Sequence, residues 1–282
     1  MKPLMMANGN RENQGAAVRH KDGLHPMLRI EAVTVAFDGY RALDDLNLAI
    51  DPGTLHCIIG PNGAGKSTLM DVITGRVRPV TGRVLLDGHF ECTRHEPWQI
   101  AAAGVGRKFQ RPTVFEKLTV AENLTLAMRR DKGLLASLVG KGRGWASGGR
   151  DVRGKDARTM EDLLRRIGLH QERHRLAGWL SHGQKQWLEL GMLVAQQPKL
   201  LLVDEPVAGM TPGEVARTAE LLSGLAGSHT IVVVEHDMAF VRSIATLVSV
   251  LHQGRLLAQG SMAELQANAE VRAVYLGEEE GS

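Results

Sequence analysis

Gly60-Pro61-Asn62-Gly63-Ala64-Gly65-Lys66-Ser67 follows directly on the apolar run Leu55-His56-Cys57-Ile58-Ile59, and this junction decides the fold. The spacing G-x-x-x-x-G-K-S is that of a loop whose backbone N–H groups wrap phosphate oxygens, with Lys66 reaching the outer phosphates and Ser67 meeting Mg²⁺. Together with Thr68, these residues form a candidate cradle for a nucleoside triphosphate. Two further runs share the character of the first: Leu200-Leu201-Leu202-Val203 before Asp204-Glu205, and Thr230-Ile231-Val232-Val233-Val234 before Glu235-His236. Short, continuous and rich in branched residues, they predict strands buried on both faces of a parallel sheet. Met160, Leu163, Leu164 and Ile167 fall at i, i+3, i+4 and i+7, the apolar stripe of a helix. The reading is an α/β P-loop domain.

Hydrolysing a terminal phosphate needs charge neutralisation, an in-line water and donors for the equatorial oxygens. Lys66, the loop amides and Mg²⁺ supply the first. Asp204 ends an apolar strand, so its carboxylate emerges where open α/β sheets bind ligands, and it is the candidate, with Ser67, for holding Mg²⁺. Glu205, next along, points differently and is the candidate for polarising the attacking water. His236 closes another strand and can donate to the γ-phosphate; alone it would more often be structural, but this constellation favours function. Gln110, in Arg107-Lys108-Phe109-Gln110-Arg111-Pro112, is uncharged and can bind both Mg²⁺ and the water. The run Leu180-Ser181-His182-Gly183-Gln184 places a serine at a predicted helix start, where Ser181 and free N–H groups offer another place for an anion. Nothing inside a single chain needs that second anion site.

The balance of 34 basic to 31 acidic residues leaves a formal charge of only +3, too small an excess to argue for nucleic acid. Aromatic residues at 4% weaken any base-stacking role further. Cys57 and Cys92 lack metal-knuckle spacing, and Cys57 reads as a small core residue. A reducing, cytoplasmic setting fits. No run reaches the roughly 18 apolar residues that would span a bilayer, so membrane work is expected to go through partners. Residues 1–27 are polar and read as a disordered extension, and residues 28–276 as the folded domain. From about residue 28 to 91 the pattern alternates like antiparallel strands, with turn signals at Asp51-Pro52-Gly53, Thr81-Gly82 and Asp87-Gly88. After about Thr93 the strand pattern disappears, and a helical sub-domain is expected over about 93–195. Within it, residues 131–158, rich in glycine, serine and basic residues, read as a flexible surface loop. Ser261 to Leu276 reads as one C-terminal helix, followed by a tail over 277–282.

These motifs, in this order, resemble the nucleotide-binding subunits of ATP-binding-cassette (ABC) transporters over nearly all of residues 28–276. The resemblance rests on Gly60–Ser67, Gln110, Leu180–Gln184, Leu200–Asp204, Glu205 and His236, and the L-S-x-G-Q run is its most specific part. It implies a RecA-like core with an antiparallel β sub-domain and a helical sub-domain, ATP and Mg²⁺ as cofactors, and Phe37 stacking on adenine, with Tyr40 as the alternative. It also implies two subunits paired head to tail, so that Ser181, Gly183 and Gln184 of one face the ATP on the P-loop of the other. The partners implied are a second ATP-binding subunit, identical or paralogous, integral membrane permease subunits, and a periplasmic or extracellular solute-binding protein acting through them. The location implied is peripheral, on the cytoplasmic face of the inner membrane. Within the family, Phe109–Phe115, Pro206–Met210 and Val274–Gly277 look like the branched-chain amino acid and amide importers. Leu180 to Met192 is similar to the ATP-binding subunits of urea transport. Two departures stand out: His182 replaces the first glycine of the signature, and Thr211 stands where many relatives carry an aspartate. The rival reading is a cassette ATPase not tied to uptake, of the Fe–S assembly or lipid export type.

Overall fold

A computed structural model describes residues 25–108, 113–128 and 159–279. In chain order its strands are β1 (Leu28–Phe37), β2 (Tyr40–Ile50), β3 (Leu55–Ile59), β4 (Thr81–Leu86), β5 (Phe90–Glu91), β6 (Val105–Lys108), β7 (Leu200–Asp204), β8 (Thr230–Val234), β9 (Leu247–His252) and β10 (Arg255–Gly260). Its helices are α1 (Lys66–Ile73), α2 (Pro97–Ala102), α3 (Val120–Met128), α4 (159–166), α5 (His182–Val194), α6 (Pro212–Leu225), α7 (Met238–Ile244), α8 (Met262–Ala267) and α9 (Ala269–Glu279). No helix among the described residues is long and apolar enough to cross a membrane.

The three apolar runs became β3, β7 and β8, with every residue buried. They form the middle of a six-stranded sheet ordered β10-β9-β3-β8-β7-β6, parallel except for the antiparallel β9–β10 edge. Alternate side chains leave opposite faces of such a sheet. Leu55, Cys57, Ile59, Leu201, Val203, Ile231 and Val233 pack with α5, α6 and α7. Ile58, Leu200, Leu202, Val232 and Val234 pack instead with α1 and a second, antiparallel sheet ordered β2-β1-β4-β5. His56 interrupts the second set: fully buried, it lies with Nε2 2.8 Å from Ser249 Oγ on β9, and burial pushes its pKa down to about 4. The phosphate-type loop therefore opens between two layers, at the carboxyl end of the sheet.

Several sequence expectations need correction. The stretch read as free of strands contains β6, which pairs in parallel with β7 through Val105–Leu200 to Lys108–Val203. Its sequence, Val-Gly-Arg-Lys, carries no apolar run: Lys108 is buried and Arg107 partly buried within the sheet. Thr81-Gly82 is not a turn but the start of β4. Gly82 is required there because a Cβ would lie 2.4 Å from the carbonyl oxygens of Glu31 and Ala32, where the β1 register shifts. The single C-terminal helix is two helices: Asn268 leaves helical geometry and its Oδ1 accepts from Glu270 N and Val271 N, restarting the chain as α9. That helix continues to Glu279, beyond the predicted tail boundary. Gln110, the loop over 131–158, residues 1–24 of the extension and residues 280–282 lie outside the described residues.

Candidate nucleotide site

The loop after β3 delivers its backbone to the first turn of α1. Gly65 sits at φ 100° before Lys66, and a Cβ there would meet Ala42 O at 2.5 Å and Leu43 Cδ2 at 2.8 Å. No side chain caps α1, so its leading N–H groups point into the loop concavity, the arrangement that suits an anion. From behind, Gly254 N–H donates to Ala64 O at 3.1 Å, while Gly254 O accepts from Asp44 N–H at 3.0 Å. The β9–β10 turn and the antiparallel sheet thus brace the cradle together. Lys66 Nζ donates to Gly60 O at 2.5 Å and Pro61 O at 3.0 Å, folding its charge across the loop. Above it lies a cleft of ≈ 330 Å³ lined by Phe37, Tyr40, Ala42, Asn62 to Thr68, Glu205 and Val234. Phe37 and Tyr40 are both exposed, on the two arms of the β1–β2 hairpin.

Asp204 ends β7 and is buried. Arg107 Nη2 on β6 lies 3.5 Å from its Oδ2, and Arg107 Nη1 pairs with Asp71 on α1 at 2.5 Å. Burial nevertheless raises the Asp204 pKa, against the pull of Arg107. Its Oδ1 is buried without a hydrogen-bond partner. A hard divalent cation with its water shell is the group that a desolvated, half-paired carboxylate suits. Among the described residues no cluster of three His, Cys, Asp or Glu could hold a metal by itself. Should Mg²⁺ arrive with a nucleotide, Ser67 and Asp204 are the residues that would hold it, sharing the ion with phosphates and water.

Glu205 occupies the left-handed region at φ 43°, and its N–H donates to Val234 O at 2.9 Å on β8. The reversal turns its side chain into the cleft. His236 Nδ1 lies 3.7 Å from Glu205 Oε1, so the two candidates come together at the ends of neighbouring strands. Sequence reasoning missed what holds them there. Glu235, buried and raised in pKa by that burial, accepts from His236 N at 2.9 Å, Asp237 N at 3.3 Å and Val207 N at 3.4 Å. One carboxylate thereby ties the turn after β8 to the segment after Glu205. Lys108 was missed as well. It is buried beside the β7 end, its pKa lowered by burial while Glu189, Asp204 and Glu235 favour its charge. The one available signal was a strand position filled by a charge next to an apolar partner.

The signature residues are elsewhere. Ser181 N-caps α5, accepting from Gln184 N at 3.2 Å, while Gln184 Oε1 accepts from Ser181 N at 3.0 Å. The Gln184 side chain therefore serves the helix cap here. Ser181, Gly183 and Gln184 do not line the cleft formed by Gly60 to Thr68. His182 Nε2 lies 3.3 Å from Gln186 Nε2, within its own helix.

The family model described as "ABC transporter" matches residues 43–208, and one described as "Branched-chain amino acid ATP-binding cassette transporter" matches residues 255–281. The chain is similar to the high-affinity branched-chain amino acid transport ATP-binding protein LivG of Escherichia coli, at 35% identity over 90% of this chain and 98% of that protein. It is 34% identical to the corresponding protein BraF of Pseudomonas aeruginosa, over 90% of this chain and 98% of the relative. Among solved structures it resembles the ADP conformation of an ATP-binding cassette of an ABC transporter, with a TM-score of 0.72, 29% identity and coverage of 90% and 99% of the two chains.

Proposed function

The chain belongs to the ABC transporter family and is an ATP-hydrolysing cassette, and from that premise we propose that it powers an importer of branched-chain amino acids or of a related amide, urea being the specific candidate. The observation that carries the uptake reading is the extent of the similarity to LivG and BraF, which runs through nearly the whole of those proteins. The match of residues 255–281 to a branched-chain amino acid cassette model supports it from an independent part of the chain. Urea is supported by the likeness of Leu180 to Met192.

In this reading Gly60 to Thr68 hold the triphosphate, Lys66 leaves the loop carbonyls for the outer phosphates, and Phe37 or Tyr40 covers the adenine. When bound, Mg²⁺ offsets charge on the phosphate oxygens. Glu205 orients and polarises the attacking water, His236 donates to the γ-phosphate, and Gln110 senses both. Two cassettes pair head to tail, and Ser181 and Gly183 of each close over the nucleotide held by the other. Closing and opening drive permease subunits on the cytoplasmic face of the inner membrane, which receive solute from a binding protein outside. The test is the ATPase rate of the transporter reconstituted with its permeases and binding protein. Stimulation by urea supports the specific reading, stimulation by leucine, isoleucine or valine the broader one. Indifference to every member of these classes counts against both.

A further inference from the structure

At the head of α5 one carboxylate already covers the second anion site. Ser181 Oγ donates to Glu214 Oε1 at 2.9 Å, and the Gly183 backbone beside it helps to hold the Glu214 carboxyl in its charged form. A Cβ placed on Gly183 would lie 2.5 Å from Glu214 Oε1, so the carboxylate sits directly over that glycine. Gly183 is accordingly buried, although Ser181 and His182 beside it are exposed.

The reason lies at the start of the next helix. Thr211 N-caps α6, and Glu214 reaches back as its capping-box partner, with Oε2 accepting from Thr211 N and Thr211 Oγ1, both at 3.0 Å. This leaves Oε1 facing outward, toward Ser181. These donors, Thr211 N–H first, hold the Glu214 carboxyl below its usual range, so it is an anion at neutral pH. A carboxylate bound by a serine hydroxyl and lying over a helix-start amide occupies the place where a phosphate oxygen would meet the same groups. We propose that Glu214 is an internal stand-in for the γ-phosphate: it fills the anion site of the unpaired cassette and must leave when the partner's ATP arrives. Thr211, standing where many relatives carry an aspartate, then has a role, since the threonine cap is what draws Glu214 into place. The inference rests on the head-to-tail reading above.

The test uses the full chain carrying Glu205→Gln, so that ATP is bound and not consumed, with pairing followed by light scattering against MgATP concentration. Glu214→Gln retains the capping box, which accepts Glu or Gln, but removes the anion. Losing a charged competitor for two donors lowers the ATP concentration for half-maximal pairing by about tenfold. The melting temperature of the nucleotide-free chain stays near that of the parent. An unchanged or higher ATP requirement overturns the proposal, as does a clear fall in melting temperature, which would mark Glu214 as a capping residue alone. Ser181→Arg in the same background separates the two readings. If it pairs normally with ATP, the head-to-tail arrangement itself fails; if it cannot pair while Glu214→Gln behaves like the parent, only the stand-in role fails.

Discussion

Glu205 stands at φ 43°, a backbone region that costs a non-glycine residue about 1–3 kcal/mol and persists only where the surroundings impose it. Here they do: the Glu205 N–H is fixed to Val234 O, while Asp204 before it completes β7. The strain separates two adjacent carboxylates into different jobs. Asp204 stays buried beside Arg107 with one oxygen unpartnered, and Glu205 turns into the cleft. Glu205→Gln keeps the turn and the volume but cannot take a proton from water. Turnover is expected to fall by about 10²–10⁴-fold, the range of a general base, with ATP affinity retained. Phosphate release measured beside equilibrium ATP binding checks this, and a normal rate would remove Glu205 from the role.

At the scale of elements, the site depends on turns that follow β7 and β8, and Glu235 joins them by accepting three backbone N–H groups. Glu235→Ala leaves the buried Val207 N–H and the part-buried His236 and Asp237 N–H groups without that acceptor, at about 1–3 kcal/mol for each group that water cannot reach. A net loss of about 2–4 kcal/mol in urea unfolding is expected. ATPase activity should drop with it as His236 moves from Glu205; a variant of parental stability would show that water takes over the bonds. Glu235 also marks where legibility in the sequence ended. The strands β3, β7 and β8 could be read because each is an apolar run, and the cradle because its glycine spacing reports backbone geometry directly. β6 could not, since Arg107 pairs with Asp71 and Asp204, and Lys108 is buried near the carboxylates of Glu189, Asp204 and Glu235, long-range facts that no local pattern carries. Asn268 misled for a related reason: its side-chain cap restarts a helix inside an otherwise helical composition. Gln184, read as a nucleotide contact, was equally legible as the third residue of a capping box, and in the unpaired chain the local bond is the one made.

Across the whole molecule, the head of α5 does not line the cleft above the cradle, and in the proposed head-to-tail pair a second cassette, here another copy of this chain, would bring the two surfaces together. Each ATP would lie between the Lys66 of one chain and the Ser181 of another. Lys66→Ala disables the first surface, and Ser181→Arg fills the second. Neither variant alone can form an intact site, since Lys66→Ala spoils every cradle and Ser181→Arg keeps every facing surface from closing, so neither hydrolyses ATP. A mixture behaves differently. In a dimer of one Lys66→Ala chain and one Ser181→Arg chain, one site carries both defects and the other combines an intact cradle with an intact serine. With random pairing, half the dimers are mixed and one of their two sites is whole, so roughly a quarter of wild-type sites return. ATPase activity should therefore rise on mixing and peak near equal proportions, measured by phosphate release as the ratio is varied at fixed total protein. If activity at every ratio equals the weighted sum of the separate variants, the two surfaces do not share a nucleotide, whatever the geometry within one chain.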